Sequence, residues 1–303
     1  PNLLKVSIIL SPVMDTFYNP YASALDGLIL DDPVSSFFNF CKERESIRFK
    51  REKGLDAPWT ADPIFQKGRF LNVFREDDRG TKAILNFCKD LKKDLPNLVQ
   101  ALFFSRWCNN QKILDTLTSR QLQDPKEFKR YLDNIDSWCN TTAYPVEPVT
   151  WSNQKYSRLD TATILFNNIK IELSDIITRS NGDVTVSTEN INKILNMKNN
   201  FPIFMAVMDL AWFRPDIIKP ESHVPTGIGA VAYLDRLQKY LNLENHLQTC
   251  EKMISLQKDY WPEAKRTFHP IDIEYLSCEC RKYYSYVNKT KQFEGKNLFT
   301  PKT

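Results

Sequence analysis

Glycine is scarce in this chain, with 8 residues among 303. Sandwich folds use glycine in their tight turns, and Rossmann and P-loop folds use it where the backbone approaches phosphate. Neither a G-x-G-x-x-G nor a G-x-x-x-x-G-K-S/T string occurs in the sequence. Hydrophobic residues nevertheless make up 42% of the chain, which is enough for a sizeable core. These features predict an all-α fold, a multi-helix globular domain with almost no sheet.

Aspartate–proline pairs mark the start of two predicted helices. Asp32 is placed to cap a helix that begins with proline, and the helical run 34–53 then ends at Gly54. Asp124 opens a second run, 126–139, in the same way. Further helices are predicted at 81–95, 161–177 (with Asp160 as the cap), 188–197, 201–212, 230–241 and 271–287, and strand-like alternation is confined to 183–187.

The charge and the cysteine content of the chain limit the partners and the cellular compartment that we expect for it. The formal net charge is +4, so contact with nucleic acid must come from local clusters of basic residues. The seven cysteines are an odd number and show no zinc-ligand spacing. We therefore expect free thiols in a reducing compartment, the cytoplasm or the nucleus, and no metal and no cofactor. No apolar run in the sequence is long enough to span a membrane.

The sequence contains no internal repeat and no low-complexity linker, which favours a single helical body. Residues 1–32 include a short apolar run and are predicted to dock on the domain as an N-terminal segment. Residues 33–287 form the predicted helical domain, and 288–303 form a C-terminal tail. The stretches 144–149 and 179–183 could join separate domains, but loops on one body are the favoured interpretation.

The densest mixture of polar and aromatic residues covers positions 57–81. A helix starting near Asp62 would align Arg69, Asn72, Arg75 or Glu76, and Arg79 along one face, at three- and four-residue spacing. Guanidinium groups match phosphate oxygens, and an asparagine can hold an amide or a base edge. The stripe therefore suits a polyanion. The alternative is a solvated face on which the arginines pair with neighbouring aspartates.

Four shorter clusters later in the chain carry weaker signals. Arg106 and Asn109 lie on a core-like helix, where a buried arginine needs a carboxylate or an anionic ligand. Asp209 interrupts an apolar helical run with a charge. The third cluster is Gly227 and Gly229, in a turn like that of a helix-hairpin-helix, where backbone N–H groups can hold a phosphate. The fourth is the acid–base pair Glu279 and Lys282.

Several motifs carry a resemblance to a known family. They are Phe38-x-x-Cys41-x-x-Arg44, Pro58-Trp59-Thr60-x-Asp62-Pro63, Arg69-Phe70-x-Asn72-Val73-Phe74-Arg75-Glu76-x-Asp78-Arg79-x-Thr81, Arg106-Trp107-x-Asn109, Phe204-Met205-Ala206-x-x-x-Asp209-Leu210, Gly227-x-Gly229-Ala230 and Glu274-x-x-x-Cys278-Glu279-x-x-Lys282-Tyr283. With these motifs, residues 33–287 resemble the alpha-glutamyl/putrescinyl thymine pyrophosphorylase family. The same helical domain is also named for the 5-hydroxymethyl-deoxyuridine DNA kinase.

The resemblance implies a distant relation to helix-hairpin-helix DNA glycosylases and a transferase activity on modified thymine in DNA. An amine, from an amino acid or a polyamine, would replace the diphosphate of pyrophosphorylated 5-hydroxymethyluracil. The implied partners are DNA with its target base flipped out and a small amine, without a membrane. Two alternatives stay open. One is a non-catalytic DNA-binding or protein-interaction module on this scaffold, and the other is a glycosylase-like hydrolase using Asp209 or Asp235.

The implied transfer needs cations for the leaving group, a carboxylate for the amine and an aromatic surface for the base. The predicted catalytic carboxylates are Asp62, Asp78 and Asp209. The predicted substrate- or DNA-binding residues are Trp59, Thr60, Arg69, Asn72, Arg75, Arg79, Arg106, Asn109, Gly227, Gly229, Glu279 and Lys282.

Overall fold

The computed structural model describes residues 31–140, 146–295 and 298–299, and nearly all of its regular structure is helical, which confirms the predicted all-α fold. The predicted N-terminal segment lies outside the described residues, apart from its last two positions. The helices are α1 (Pro33–Glu52), α2 (Pro63–Lys67), α3 (Arg79–Cys88), α4 (Leu95–Cys108), α5 (Gln111–Leu114), α6 (Pro125–Asp133), α7 (Arg158–Asp160), α8 (Phe166–Arg179), α9 (Val184–Leu195), α10 (Phe201–Leu210), α11 (Ile228–Leu241), α12 (His246–Tyr260) and α13 (Pro270–Val287). A short antiparallel hairpin joins β1 (Val149–Trp151) to β2 (Gln154–Tyr156).

Aspartates cap the helices that the sequence marks most clearly. The side chain of Asp32 accepts a 2.9 Å hydrogen bond from the backbone N–H three residues later. Asp62, Asp94 and Asp124 cap α2, α4 and α6 in the same way, each with proline in the first two helical positions. After α1, Gly54 has a φ of +71°, which glycine adopts readily. The predicted start and end of α1 are therefore confirmed.

Two predicted helices are too long. The run 81–95 is broken after Cys88 by a 3-10 turn, and the run 126–139 stops at Asp133. The run 81–95 was predicted as one helix because its apolar periodicity continues past the end of α3. Asp94 in fact caps a new helix, α4. Periodicity alone thus locates the buried face of each helix but not its ends.

Two local interpretations were wrong because a neighbouring residue provides a better cap. Ser157, rather than Asp160, accepts the capping hydrogen bond of α7, which continues through a π-helical turn (Thr161–Leu165) into α8. The strand-like stretch 183–187 is the first turn of α9, because the Asp183 side chain accepts from the backbone N–H of Val186 at 2.8 Å. The β-hairpin and α12 had not been predicted.

Buried apolar residues form two clusters. The middle cluster is built mainly from α3 to α10, with α4 packed against both α8 and α10. The terminal cluster combines α1 and residues 65–74 with α11, α12 and α13 from the other end of the chain. Of the two stretches considered above as domain joints, 144–149 contributes Val146 and Val149 to the middle cluster from its described part, and 179–183 lies between Ile177 and Val184 of the same cluster. The chain therefore leaves the terminal cluster near residue 75 and returns to it after residue 224.

Small residues allow α11 to approach α13 closely. The backbone N–H of Gly227 donates a 2.9 Å hydrogen bond to Oε1 of Glu274, and a Cβ atom on Gly229 would lie 2.6 Å from Sγ of Cys278. Cys278 and the other six cysteines are free thiols. Within the described ranges, no helix is both long and apolar enough to cross a membrane.

Substituting Gly229→Ala is expected to destabilise the fold by about 1–3 kcal/mol, because the new methyl group overlaps the Cys278 sulfur. Urea denaturation followed by far-ultraviolet circular dichroism would measure the loss. Adding Cys278→Ala should restore most of the lost stability. A double variant as unstable as the single one would show that this contact does not set the helix separation.

Candidate nucleic-acid site

The segment that carries the predicted arginine stripe is not one helix. α2 ends at Lys67, residues 68–74 are largely extended, a 3-10 turn covers Arg75–Asp77, and Asp78 caps α3. A Cβ atom on Gly68 would lie 2.8 Å from the carbonyl oxygen of Ile64 and closer still to the Phe70 ring. The chain therefore turns at a position that has no room for a side chain. The prediction of a continuous helix from Asp62 was therefore wrong.

One face of α13 holds this extended segment by hydrogen bonds from side chain to backbone. Nζ of Lys282 donates to the carbonyl of Arg69 at 2.8 Å, and Oε2 of Glu279 accepts from the N–H of Leu71 at 2.9 Å. The hydroxyl of Tyr275 donates to the carbonyls of residues 72 and 73. Further along, Oδ1 of Asp272 accepts from the backbone N–H of Arg75 at 3.1 Å. Glu279 and Lys282, predicted to bind substrate, thus position the segment that carries the arginines.

A cleft of about 980 Å³ lies between the two clusters, bordered by α1, the extended segment, α3 and the end of α4. Seven arginines and one lysine line it, against three carboxylates. The basic residues are Arg44, Arg48, Arg51, Arg69, Arg75, Arg79, Arg106 and Lys82, and the carboxylates are Glu52, Asp77 and Asp78. The cleft is therefore strongly cationic, although the net charge of the whole chain is small.

Six of the seven arginines of the cleft fall into two groups by exposure, and Arg48 is intermediate. The outer arginines (Arg51, Arg69 and Arg79) are exposed to solvent. The inner arginines are 6%, 4% and 2% exposed, in the order Arg44, Arg75 and Arg106. The predicted set of Arg69, Asn72, Arg75 and Arg79 does line one cleft, although a bent segment rather than a helix face brings its members together.

Arg106 and Asp209 form a buried bidentate ion pair. Nε and Nη2 of the arginine lie 2.5 Å and 2.7 Å from the two carboxylate oxygens, and Asp209 is 0% exposed. Arg106 lines the cleft and Asp209 does not. Asp209 therefore acts as the counter-ion that fixes Arg106, and the structure does not bring it to the cleft as the catalytic carboxylate that was predicted.

Other acidic side chains neutralise part of the cationic lining. Arg48 pairs with Glu45 and Glu52, and Lys82 lies 3.9 Å from Asp77. Among the described residues, in contrast, none of the outer arginines forms an ion pair with a carboxylate. The outer arginines therefore carry the accessible positive charge of the cleft.

An acidic and basic network outside the cleft keeps the 3-10 turn in place. Arg266 bonds to Glu76 and to the buried carboxylate of Asp272. Burial raises the pKa of the Glu76 carboxyl, but the hydrogen bonds and charge of Arg266 outweigh it and hold that pKa at about 2. Glu76 is thus ionised throughout the physiological range.

Trp59 stands at the cleft edge, and Thr60 and Asp62 face a different cavity. The Trp59 ring lies 5.1 Å from the guanidinium carbon of Arg51, and its Nε1 donates to the carbonyl of Leu55 at 2.6 Å. Thr60 and Asp62 line a second cavity of about 640 Å³, where Asp62 accepts a 2.5 Å hydrogen bond from the Tyr283 hydroxyl.

Asp78 is therefore the one predicted catalytic carboxylate that lines the cleft. Its Oδ2 accepts hydrogen bonds from the N–H groups of Gly80 and Thr81 at 3.0 Å and 3.3 Å, which fixes the carboxylate at the start of α3.

The remaining predicted residues divide between the cleft and the α11–α13 contact. Asn109 lines the cleft at the end of α4. Gly227 and Gly229 do not, and the Gly227 N–H, predicted to hold a phosphate, is hydrogen-bonded to Glu274. Burial raises the pKa of Glu274 to about 7.

Three arginines of α1 and Lys82 are absent from the predicted site residues. Arg44, Arg48 and Arg51 follow one another at four- and three-residue spacing, so a helical wheel of α1 would have shown a basic stripe. Only the three-dimensional fold, however, brings this basic stripe of α1 to the same cleft as Arg69, Arg75 and Arg79. The described residues contain no group of three or more histidine, cysteine or acidic side chains that could hold a metal ion.

Comparison with known proteins adds one match. A family model described as "5-hmdU DNA kinase, helical domain" matches residues 32–292, which include every helix given above. No curated protein and no solved structure matches the chain. The relation to DNA glycosylases accordingly stays a prediction.

Replacing Asp209→Ala should destabilise the protein by about 3–5 kcal/mol, because it leaves Arg106 charged and buried without a counter-ion. Urea denaturation would measure the change. The double variant Arg106→Met with Asp209→Leu should recover most of the stability, since it removes both charges. Wild-type stability in the single variant would contradict the role of Asp209 as a counter-ion.

Proposed function

The chain belongs to the 5-hmdU DNA kinase helical-domain family, and from that premise we propose that it binds DNA in the arginine cleft and takes part in the modification of hydroxymethyluracil. The single observation that carries this proposal is the cleft itself, with seven arginines and one lysine against three carboxylates. DNA binding draws on such clusters because each cation that meets a phosphate releases a condensed counter-ion. The outer arginines supply these contacts, and Trp59 supplies a stacking surface for a base that has left the duplex.

The proposed reaction is the transfer of an amine to the pyrophosphorylated 5-hydroxymethyl group of uracil. The amine nitrogen attacks the methylene carbon, the bond from that carbon to oxygen breaks, and diphosphate leaves with the electron pair. A carboxylate takes the proton that the attacking nitrogen loses, and Asp78 is the candidate because it lines the cleft and is fixed by its capping hydrogen bonds. The arginines stabilise the negative charge that develops on the leaving diphosphate.

A second candidate is a DNA-binding module without turnover. It is favoured by a specific feature of the cleft, whose described lining contains no carboxylate from α10 to α13. The third alternative, a glycosylase-like hydrolase, has less support. Asp209 is committed to Arg106, and Asp235 lies outside the cleft, 2.8 Å from Nε2 of His246.

We propose a reducing compartment, the cytoplasm or the nucleus, as the site of action. All seven cysteines are free, and five of them are buried. Burial raises the pKa of the Cys108 and Cys250 thiols to about 12, so these side chains stay protonated and unreactive at neutral pH.

The double variant Arg69→Ala with Arg79→Ala should weaken DNA binding about tenfold or more near 0.1 M salt. It should also lower the slope of log affinity against log salt by roughly 1 per residue, because two phosphate contacts are lost. Fluorescence anisotropy with a labelled duplex, repeated at several salt concentrations, would measure both quantities.

The matched control is Arg120→Ala with Arg130→Ala, which removes two exposed arginines that do not line the cleft. It should leave the affinity and the salt slope close to the wild-type values. Equal losses in both double variants would mean that binding reflects overall charge, and the cleft would no longer be the proposed DNA site.

The chemistry is tested with DNA that contains pyrophosphorylated 5-hydroxymethyluracil, incubated with the protein and a mixture of amino acids and polyamines. Mass spectrometry of the digested nucleosides should show an amine adduct, and Asp78→Asn should reduce its amount by about 100-fold or more. Diphosphate release without an adduct would indicate hydrolysis. Unchanged substrate bound by the wild-type protein would favour the non-catalytic module.

A further inference from the structure

Arg44 is a buried cation whose hydrogen-bond partners are all neutral. It is 6% exposed, and its Nη2 donates to the carbonyl of Phe70 at 3.2 Å and to Oδ1 of Asn72. Nε lies 3.4 Å from the same Phe70 carbonyl. The buried Nη1 has no hydrogen-bond partner among the described residues. One side of the guanidinium is thus held by the extended segment, while the other has unmet donor capacity.

No carboxylate of the described residues forms an ion pair with Arg44. The carboxylates that act on it at longer range, Glu279 and Glu45, are already paired with Lys282 and Arg48. Burial and the nearby charge of Arg51 lower the pKa of Arg44 to about 10. At neutral pH this side chain therefore remains charged in surroundings that disfavour the charge.

Arg106 shows how the same cleft treats a comparable residue. It is as deeply buried as Arg44, but Asp209 meets its charge with two hydrogen bonds. A buried charge without a counter-ion destabilises a fold. Since the fold supplies a carboxylate at Arg106 and none at Arg44, the missing negative charge at Arg44 points to a ligand.

We infer that Arg44, oriented by Asn72, forms a receptor within the cleft for a terminal phosphate or diphosphate group. This inference rests on the proposed function, in which a diphosphate is attached to the modified base. Asn72 is itself fixed, because its Nδ2 donates to the carbonyl of Asp77 at 2.8 Å while its Oδ1 accepts from Arg44. The guanidinium then offers the two N–H groups of Nη1 to phosphate oxygens.

The depth of Arg44 selects a terminal group over the DNA backbone. A phosphodiester has a sugar on each side, so it meets exposed side chains such as Arg69 and Arg79 more easily than a buried one. A terminal phosphate or diphosphate has free oxygens at its end and can enter a narrow space. The inner and outer arginines thus serve two different kinds of phosphate.

The receptor is tested by thermal denaturation of the full chain with inorganic pyrophosphate. The melting temperature of the wild-type protein should rise by about 4 °C or more at 100 times the dissociation constant. Arg44→Gln should abolish this rise. Arg120→Gln is the control, because Arg120 is exposed and lies outside the cleft, so the rise should persist.

Asn72→Asp is the second variant, and it places a carboxylate next to Arg44 without changing the side-chain size. It should no longer respond to pyrophosphate, because the new carboxylate meets the charge of Arg44 in place of the ligand. This variant decides the question even if Arg44→Gln does not fold. The receptor is refuted by an unchanged pyrophosphate response in either variant or by no response in the wild type.

The same samples separate this inference from the proposed function. Arg69→Ala with Arg79→Ala should lose DNA affinity and keep the pyrophosphate response. A wild-type protein that binds DNA but ignores pyrophosphate would overturn the receptor and leave DNA binding in place. A protein that responds to pyrophosphate at Arg44 but does not bind DNA would keep the receptor and remove the DNA function.

Discussion

The contact between α13 and the extended segment 68–74 is the constraint on which the cleft depends. An extended chain that is not part of a sheet leaves its backbone N–H and carbonyl groups without ladder partners, and burying them unpaired is costly. Lys282, Glu279 and Tyr275 bond to these groups from one side of a single long helix, and Asp272 on the same side bonds to the N–H of Arg75 just beyond the segment. Because the backbone is fixed in this way, the Arg69 side chain, and Arg75 and Arg79 just beyond the segment, can line the cleft without having to hold the segment's local structure.

The sequence predicted the helices where local chemistry decides the outcome, and it failed where distant parts of the chain decide it. The caps at Asp32 and Asp124 lie within a few residues of the groups they satisfy, so they are visible without a fold. The bend after Lys67 depends on crowding around Gly68 and on bonds from α13, some 200 residues away. The periodicity of the arginines therefore matched a helix that does not form.

The candidate site was predicted in part for the same reason. Arg69, Asn72, Arg75 and Arg79 are close in sequence, and any compact path through the segment keeps them near one another. The sequence did not show that Asp209 is the counter-ion of Arg106, because the two residues are 103 positions apart and no sequence pattern pairs them. Arg44 shows the same limit. Its place in a motif was visible, but its burial without a carboxylate is a property of three-dimensional packing.

The division of the core into two clusters has a consequence for how the protein forms during synthesis. Apart from Ile271 of α13, the residues of the middle cluster lie between positions 83 and 224, so most of this part can become compact while the ribosome is still translating α11 to α13. α1 is made long before the helices that cover its apolar side, because the aromatic partners of Phe37 and Phe38 are Tyr233, Tyr260 and Phe268. The arginine cleft, which lies between the clusters, is therefore assembled after both. A nascent chain would carry its basic α1 exposed to the cell's nucleic acids until α11 to α13 have been translated and the arginine cleft can form.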